Sequence, residues 1–354
     1  MQISLTNSIN PHLSAEDIFQ AILGSRGLEN EVAQKLFLNP PTPTLKSLIK
    51  ETGIKLSTLK NIQKILDSHV ESGDDICVFG DYDADGITST AILWQTLVYY
   101  VKGKNIRVLP FLPDRHRHGY GLSIKAVEEM YDGKSWQTSH YPDFFPKLMI
   151  TVDNGIVAHE AADLLSQKGI ELIITDHHQM ADTTPVAGAI LHTTSTSGAG
   201  IAWILALYLL KENEFGMSLI DLAALGIIAD MMPLHGINRG IVVHGLAALS
   251  KTKRPGLLAL YKYAKIDPSS ISTYTISFVL APRINAAGRL FDPYDALRLL
   301  CATKSDSAEP LANKINSHNI DRQELTEVAL NSISKESFAH KIVVVIGDYH
   351  EGII

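Results

Sequence analysis

The sequence predicts an α/β protein. Its centre is a doubly wound, mostly parallel sheet, preceded by a helical N-terminal extension and followed by a long connecting helix that leads into a truncated second domain. Three observations predict this. From Asp75 onward, short apolar runs alternate with helical stretches, the pattern of strands joined by crossover helices. Four of the apolar runs end in an aspartate. Finally, a long polar stretch is followed by a new apolar run, Lys341-Ile342-Val343-Val344-Val345-Ile346-Gly347, close to the last residue, Ile354. The expected division is 1–72 for the extension, 73–304 for the central domain, 305–338 for the connecting helix and 339–354 for the opening of a second domain. On this reading the sequence is a fragment cut at the start of that domain.

Residues 1–72 read as helical and loop-rich. Pro40-Pro41-Thr42-Pro43 is a break, and helical periodicity resumes at 45–49 and again at 59–70, through Ile62, Ile65 and Leu66. No chemistry is legible there. Strands are expected near 75–80, 106–111, 147–152, 171–175, 188–191 and 223–229. Helices are expected between them near 88–101, 123–131, 157–168 and 199–212, with a loop over 132–146. Further helical stretches follow near 240–265 and 294–302. The polar stretch at 307–335 (Asn313, Asn316, His318, Asn319, Asp321, Arg322) has the composition of a helix bridging two domains.

The chain has 354 residues, 45% of them hydrophobic and 19% charged, enough apolar material for a sizeable core. The net charge of −7 shows none of the basic excess of a nucleic-acid-binding chain, although an acidic metal site supplies part of that count. Two cysteines, Cys77 and Cys301, exclude a disulfide framework and fit a reducing cytoplasm. The N-terminus lacks the pattern of a signal peptide, and no uncharged apolar run is long enough to span a membrane.

The chemistry lies in the aspartates. The runs end as Asp81-Tyr82-Asp83-Ala84-Asp85-Gly86, Asp153-Asn154-Gly155, Asp176-His177-His178 and Asp230. Taken singly, each could be an acidic turn or a helix N-cap. In an open parallel sheet, however, ligands bind beyond the carboxyl ends of the strands. Neighbouring strands would therefore gather these groups into one crevice, and so many anions require cations between them. Oxygen-rich ligands with one imidazole suit two Mg²⁺ or Mn²⁺ ions, and the absence of nearby cysteine argues against structural zinc. Alternation in an extended segment would turn Asp81, Asp83 and Asp85 to one side. Gly86 would then turn the chain into a helix whose start offers the hydroxyls of Thr88, Ser89 and Thr90 to an anion. Adjacent histidines in extended backbone face opposite ways. One of them can reach the metal and the other the substrate, with Asp176 orienting an imidazole.

Basic segments fit the same chemistry. Arg283-Ile284-Asn285-Ala286-Ala287-Gly288-Arg289 offers two guanidinium forks and an amide to phosphate, or else is a surface loop of salt bridges. The cluster Asp114-Arg115-His116-Arg117-His118-Gly119-Tyr120-Gly121 could contact phosphates and stack a base on Tyr120, or be a solvated loop.

These residues resemble the DHH phosphoesterase superfamily, with Asp83-Ala84-Asp85, Asp153, Asp176-His177-His178 and Asp230 matching its four motifs in order. Gly80-Asp81-Tyr82-Asp83-Ala84-Asp85-Gly86, Gly119-Tyr120-Gly121-Leu122, Gly198-Ala199-Gly200 and the segment from Pro282 to Arg289 resemble its RecJ branch. That resemblance implies a 5′-to-3′ exonuclease on single-stranded DNA, acting in repair and recombination with two Mn²⁺ or Mg²⁺ ions. It implies that Asp83 and Asp153 hold one ion and that Asp85, His177 and Asp230 hold the other. Asp153 would bridge the two, and Asp81 would be a ligand or close support. It places His178 and Arg283 at the scissile phosphate, and Asn285, Arg289, Ser89, Arg115 and Tyr120 among the substrate contacts. Single-stranded DNA is the expected partner, with a single-strand-binding protein or a helicase beside it. Other branches act on oligoribonucleotides, cyclic dinucleotides or small phosphate esters. A rival of another class is a non-catalytic replication scaffold, against which the intact ligand set argues.

Overall fold

The computed structural model describes residues 14–131 and 135–333, together with residues 342, 344 and 346. Among the described residues four helices come first: α1 (Ala15–Ser25), α2 (Glu31–Leu38), α3 (Leu45–Thr52) and α4 (Leu56–Ser72). The sheet region runs β1 (Ile76–Phe79), α5 (Ala84–Tyr100), β2 (Val108–Phe111), α6 (Arg115–His118), α7 (Ile124–Tyr131), α8 (Trp136–His140), β3 (Leu148–Val152), α9 (His159–Gln167), β4 (Glu171–Asp176) and β5 (Ala189–His192). Helices follow: α10 (Gly198–Leu209), α11 (Glu214–Ser218), α12 (Ile220–Ala229), α13 (Gly236–Leu249) and α14 (Pro255–Ala264). A 3₁₀ turn (Pro268–Ser270) precedes α15 (Thr273–Thr275), which continues through a π-helical turn (Ile276–Leu280) into α16 (Ala281–Leu290); α17 (Pro293–Leu300) and α18 (Ser305–Asn331) complete the series. The strand expected from Lys341 falls largely outside the described residues; Ile342, Val344 and Ile346 are exposed.

The five strands are all parallel, in the order β2-β1-β3-β4-β5. Alternate residues of each strand feed opposite cores. Ile76 and Val78 of β1 join Ile150 and Ile173 in a large core with α5, α10 and α12, whereas Cys77 and Phe79 join Met149, Leu172 and Ile174 in a smaller one with α7 and α9. This is the doubly wound arrangement that the alternating pattern predicts. Its strand order reverses between β1 and β3, which is the topological switch point where such sheets open a crevice. Asp81 and Asp83 follow β1 there, Asp153 follows β3, and Asp176 closes β4.

Two expectations are corrected. The run at 223–229 is not a strand but the core of α12, buried on every side against α5, α10 and α13. A short, wholly buried apolar run carries no period that separates strand from helix. Likewise, α5 starts at Ala84 rather than near Thr88, with Asp83 as its N-cap accepting from Gly86 N–H at 2.9 Å. The backbone therefore leaves the extended form before Asp85, and the three carboxylates are gathered by a strand end and a helix start rather than by alternation.

Candidate metal centre

The centre is assembled from five elements. Asp81 and Asp83 come from the β1–α5 turn and Asp85 from the first turn of α5. Asp153 comes from the end of β3, His177 follows β4, and Asp230 caps the C-terminus of α12. Asp81, Asp85 and Asp153 are at most 2% exposed. Ligand atoms of Asp81, Asp83 and Asp153 lie within 4.8 Å of one another, and so do those of Asp85, His177 and Asp230. His177 connects the two sets. Its Nε2 is 3.1 Å from Asp153 Oδ1 and 3.8 Å from both Asp85 Oδ2 and Asp230 Oδ2.

The donor set fits divalent cations. Asp81 Oδ2 and Asp153 Oδ1 are buried with no hydrogen-bond partner, and His177 Nε2 faces Asp153 Oδ1 without hydrogen-bonding geometry. Burial first, and then the neighbouring carboxylates, push the carboxyls up: Asp81 to about 8 and Asp230 to about 7, with Asp83 and Asp153 also raised. Burial lowers His177, which favours the neutral imidazole that a metal needs. A cluster that cannot hold its own charge unaided is the natural seat of a cation. Asp153 also has φ +64°, a left-handed backbone that a non-glycine residue rarely adopts and that costs roughly 1–3 kcal/mol.

Asp176 is a hub rather than a ligand. Its Oδ1 accepts from the backbone N–H of His177 (2.7 Å) and of His178 (3.0 Å) and lies 2.8 Å from His178 Nδ1; its Oδ2 accepts from Ile156 N–H at 2.9 Å. Burial raises this carboxyl, but the hydrogen bonds from His178 and Ile156 outweigh it and hold it below the ordinary value. The Asp176 bond in turn raises His178. The imidazole that Asp176 orients is thus His178, whose Nε2 is 2.9 Å from the Tyr120 hydroxyl, and not the presumptive ligand His177.

Beside the carboxylates stands a wall of aromatic and basic groups. The Arg115 guanidinium lies 5.8 Å from the centre of the Tyr82 ring. Tyr82 meets Tyr120 edge-on at 6.4 Å, and Tyr120 meets His178 edge-on at 5.8 Å. Tyr120 is 53% exposed. Arg289 is near enough to Tyr82 to favour its ionised form, against the dominant effect of burial. Beyond Arg115, an open groove is lined by His116, Arg117, Lys125 and His159.

The model of the DHH family, N-terminal domain, matches residues 75–227. The RecJ single-stranded-DNA-specific exonuclease of Bacillus subtilis is 32% identical over 96% of this chain and 42% of its own length; that of Thermus thermophilus is 34% identical over 85% and 44%. The chain therefore spans less than half the length of these relatives. The crystal structure of an exonuclease RecJ bound to manganese superposes with a TM-score of 0.71 at 32% identity, covering 85% of this chain and 75% of that one. This chain belongs to the RecJ family. A second RecJ structure, from Thermus thermophilus in complex with Mn²⁺, gives the same TM-score at 30% identity, over 94% of this chain and 46% of that one.

Some RecJ-type expectations meet a different geometry. Ser89 is fully buried and its hydroxyl donates to the Asp85 carbonyl at 2.6 Å, so it has no surface to offer a substrate. Thr88 and Thr90 are likewise spent on helix carbonyls, because α5 begins a turn earlier than expected. Arg283 and Asn285 do not share a face of α16; with 3.6 residues per turn, Asn285 and Arg289 do. Arg283 turns onto α18, donating to Asn316 Oδ1 at 3.0 Å and to the Val279 carbonyl at 2.7 Å. Asn285 Oδ1 accepts from Ala84 N–H at 2.7 Å, so the start of α5 orients this amide. Three supporting residues escaped sequence reasoning: Tyr82, Asn154 and Ser197. Asn154 accepts from Leu122 N–H at 3.2 Å and so ties the Tyr120 loop to β3. For Ser197 a signal existed, since a serine before Gly198-Ala199-Gly200 and an apolar run is an N-cap pattern.

Proposed function

We propose that this chain carries the catalytic domain of a metal-dependent phosphodiesterase that removes nucleotides from the 5′ end of single-stranded DNA, in the service of repair and recombination. The observation that carries this reading is the pair of ligand sets, Asp81-Asp83-Asp153 and Asp85-His177-Asp230, joined where His177 faces the unpartnered Asp153 oxygen. The relatives support the substrate, since they are named single-stranded-DNA-specific exonucleases, and solved RecJ structures carry Mn²⁺ or Mg²⁺. In this reading each set would hold one ion, with Asp153, which faces His177, shared between them. When bound, two such ions supply an acidified water and neutralise charge on the phosphate oxygens.

The rest of the work falls to the chain's own groups. His178, raised by Asp176, stands at the mouth of the site with Nδ1 toward Asp176 and Nε2 toward the Tyr120 hydroxyl, where its imidazolium form would stabilise charge on a phosphate oxygen. Tyr120 holds that imidazole in direction through its hydroxyl. Tyr82 and Tyr120 offer ring faces and edges to a base or sugar, and Arg115 and Arg289 offer charge to the backbone of the strand. Arg283, oriented by Asn316 and the Val279 carbonyl, keeps further guanidinium N–H groups for a phosphate oxygen and shares this role with His178. Among the described residues no helix is long and apolar enough to cross a membrane. With both cysteines free, a reducing cytoplasm is the compartment we assign.

The test supplies Mn²⁺ and an equimolar mixture of 5′-labelled single-stranded DNA, duplex DNA, a short RNA and a cyclic dinucleotide, and follows the products in time. Mononucleotides released first from the 5′ end of the single strand are expected. Preferential loss of the RNA or the cyclic dinucleotide would keep the metal centre and overturn the substrate, and no turnover of any of them would overturn the enzyme reading.

A further inference from the structure

Helix α10 enters the centre N-terminus first, and its opening turn touches two of the clustered carboxylates at once. Ser197 Oγ donates to Asp85 Oδ1 at 2.9 Å, Gly198 N–H to Asp85 Oδ2 at 2.7 Å and Ala199 N–H to Asp85 Oδ1 at 3.0 Å. On the same turn, a Cβ added to Gly198 would lie 2.6 Å from Asp153 Oδ1, so the helix start rests directly on the second carboxylate. Ser197, Gly198 and Ala199 are all buried. Two donors on Asp85 Oδ1 and one on Oδ2 leave one lone pair of this carboxylate free, on Oδ2. His177 Nε2 stands there, 3.8 Å from Oδ2.

The position fits poorly with a serine that serves its helix alone. Ser197 Oγ does accept from Gly200 N–H, but at 3.4 Å, longer than its own bond to Asp85. The better-made bond is the one that leaves the helix and crosses to α5.

We infer that Ser197 is a positioning residue of the metal centre. By holding Oδ1, it aims the free Oδ2 lone pair of Asp85 into the set shared with His177 and Asp230, so that the site is formed before any ion arrives. This rests on the metal-centre reading above. Outer groups that orient a ligand typically contribute ten- to a hundredfold in metal affinity.

The experiment is Mn²⁺ binding to the whole chain, read from the electron-paramagnetic signal of free Mn²⁺, alongside thermal unfolding. The parent is compared with Ser197→Thr, Ser197→Ala and Ser197→Asp. Threonine keeps the donor and the cap. Alanine removes both, while aspartate keeps a strong N-cap but puts an acceptor where the donor stood. Parent-like binding by Ser197→Thr is expected, with one of the two ions held roughly 10- to 100-fold more weakly in both Ser197→Ala and Ser197→Asp. If Ser197→Asp binds both ions as the parent does, Ser197 acts only as a cap and the inference is overturned. Parent-like binding by Ser197→Ala overturns it as well, leaving the metal-centre reading standing. A parent that binds no Mn²⁺ overturns that reading and this inference together.

Discussion

Loading this centre with Mn²⁺ must expel protons. Burial and mutual repulsion place Asp81 at about 8 and Asp230 at about 7, against an ordinary value of 3.8. At pH 7 a group centred at about 8 keeps about nine-tenths of a proton and one centred at about 7 keeps about half. These two residues alone therefore release about 1.4 protons when ions bind their carboxylates. Asp83 and Asp153 are also raised and add to that release. Calorimetric titration of Mn²⁺ into the chain in buffers of different ionisation enthalpy measures the number directly. The part released by Asp81 and Asp230 should be about 1.4 protons at pH 7 and shrink as pH rises through about 8, with Mn²⁺ affinity rising over the same interval. For stability the sign is set by the direction of the shifts. An acid whose folded value is raised favours the folded chain only while protonated, so the metal-free protein should lose stability as pH rises from about 4 through about 8. Tight Mn²⁺ binding with no proton release at pH 7 would refute the electrostatic account of the site.

Three further outcomes follow from named contacts. Asp153→Asn keeps a residue tolerant of positive φ but removes a carboxyl whose ionisation burial and its neighbours oppose; it should abolish Mn²⁺-dependent turnover while the metal-free chain melts higher at neutral pH, where the unfolded carboxyl ionises and the folded one resists, and normal turnover by this variant would contradict the bridging role. At Gly226, where a Cβ would meet the Ala199 methyl and lie 2.5 Å from Asp85 Oδ1 and 2.6 Å from Thr88 Oγ1, Gly226→Ala should cost about 1–3 kcal/mol or more in chemical denaturation and weaken Mn²⁺ binding together with it. Asp176→Asn removes the largest influence raising His178, so the alkaline limb of the pH–rate profile should move to lower pH, and an unmoved limb would separate His178 from the rate.

The ligand cluster was legible because parallel strands all point their carboxyl ends the same way. Apolar runs ending in Asp81, Asp153 and Asp176 had to converge if the strands were neighbours, and β1, β3 and β4 are neighbours. Asp230 joined the right cluster from the wrong element. The run before it is buried on all sides, and such a run lacks the periodicity that distinguishes helix from strand. Asp83 reads as the end of a strand in the sequence but serves as the N-cap of α5, and that earlier helix start puts Ser89 in the core instead of beside a substrate. The direction of Arg283 depends on where Asn316 of α18 lies, some thirty residues on, and no local pattern encodes that. Asp85's donors, from a helix more than a hundred residues away, were hidden for the same reason.

The most direct measurement of the central claim is the anomalous scattering of manganese in crystals of this chain grown with Mn²⁺. The account predicts two peaks roughly 3.5–4 Å apart. One should be bounded by Asp81, Asp83 and Asp153, and the other by Asp85, His177 and Asp230. A single peak, or peaks away from these residues, would contradict it.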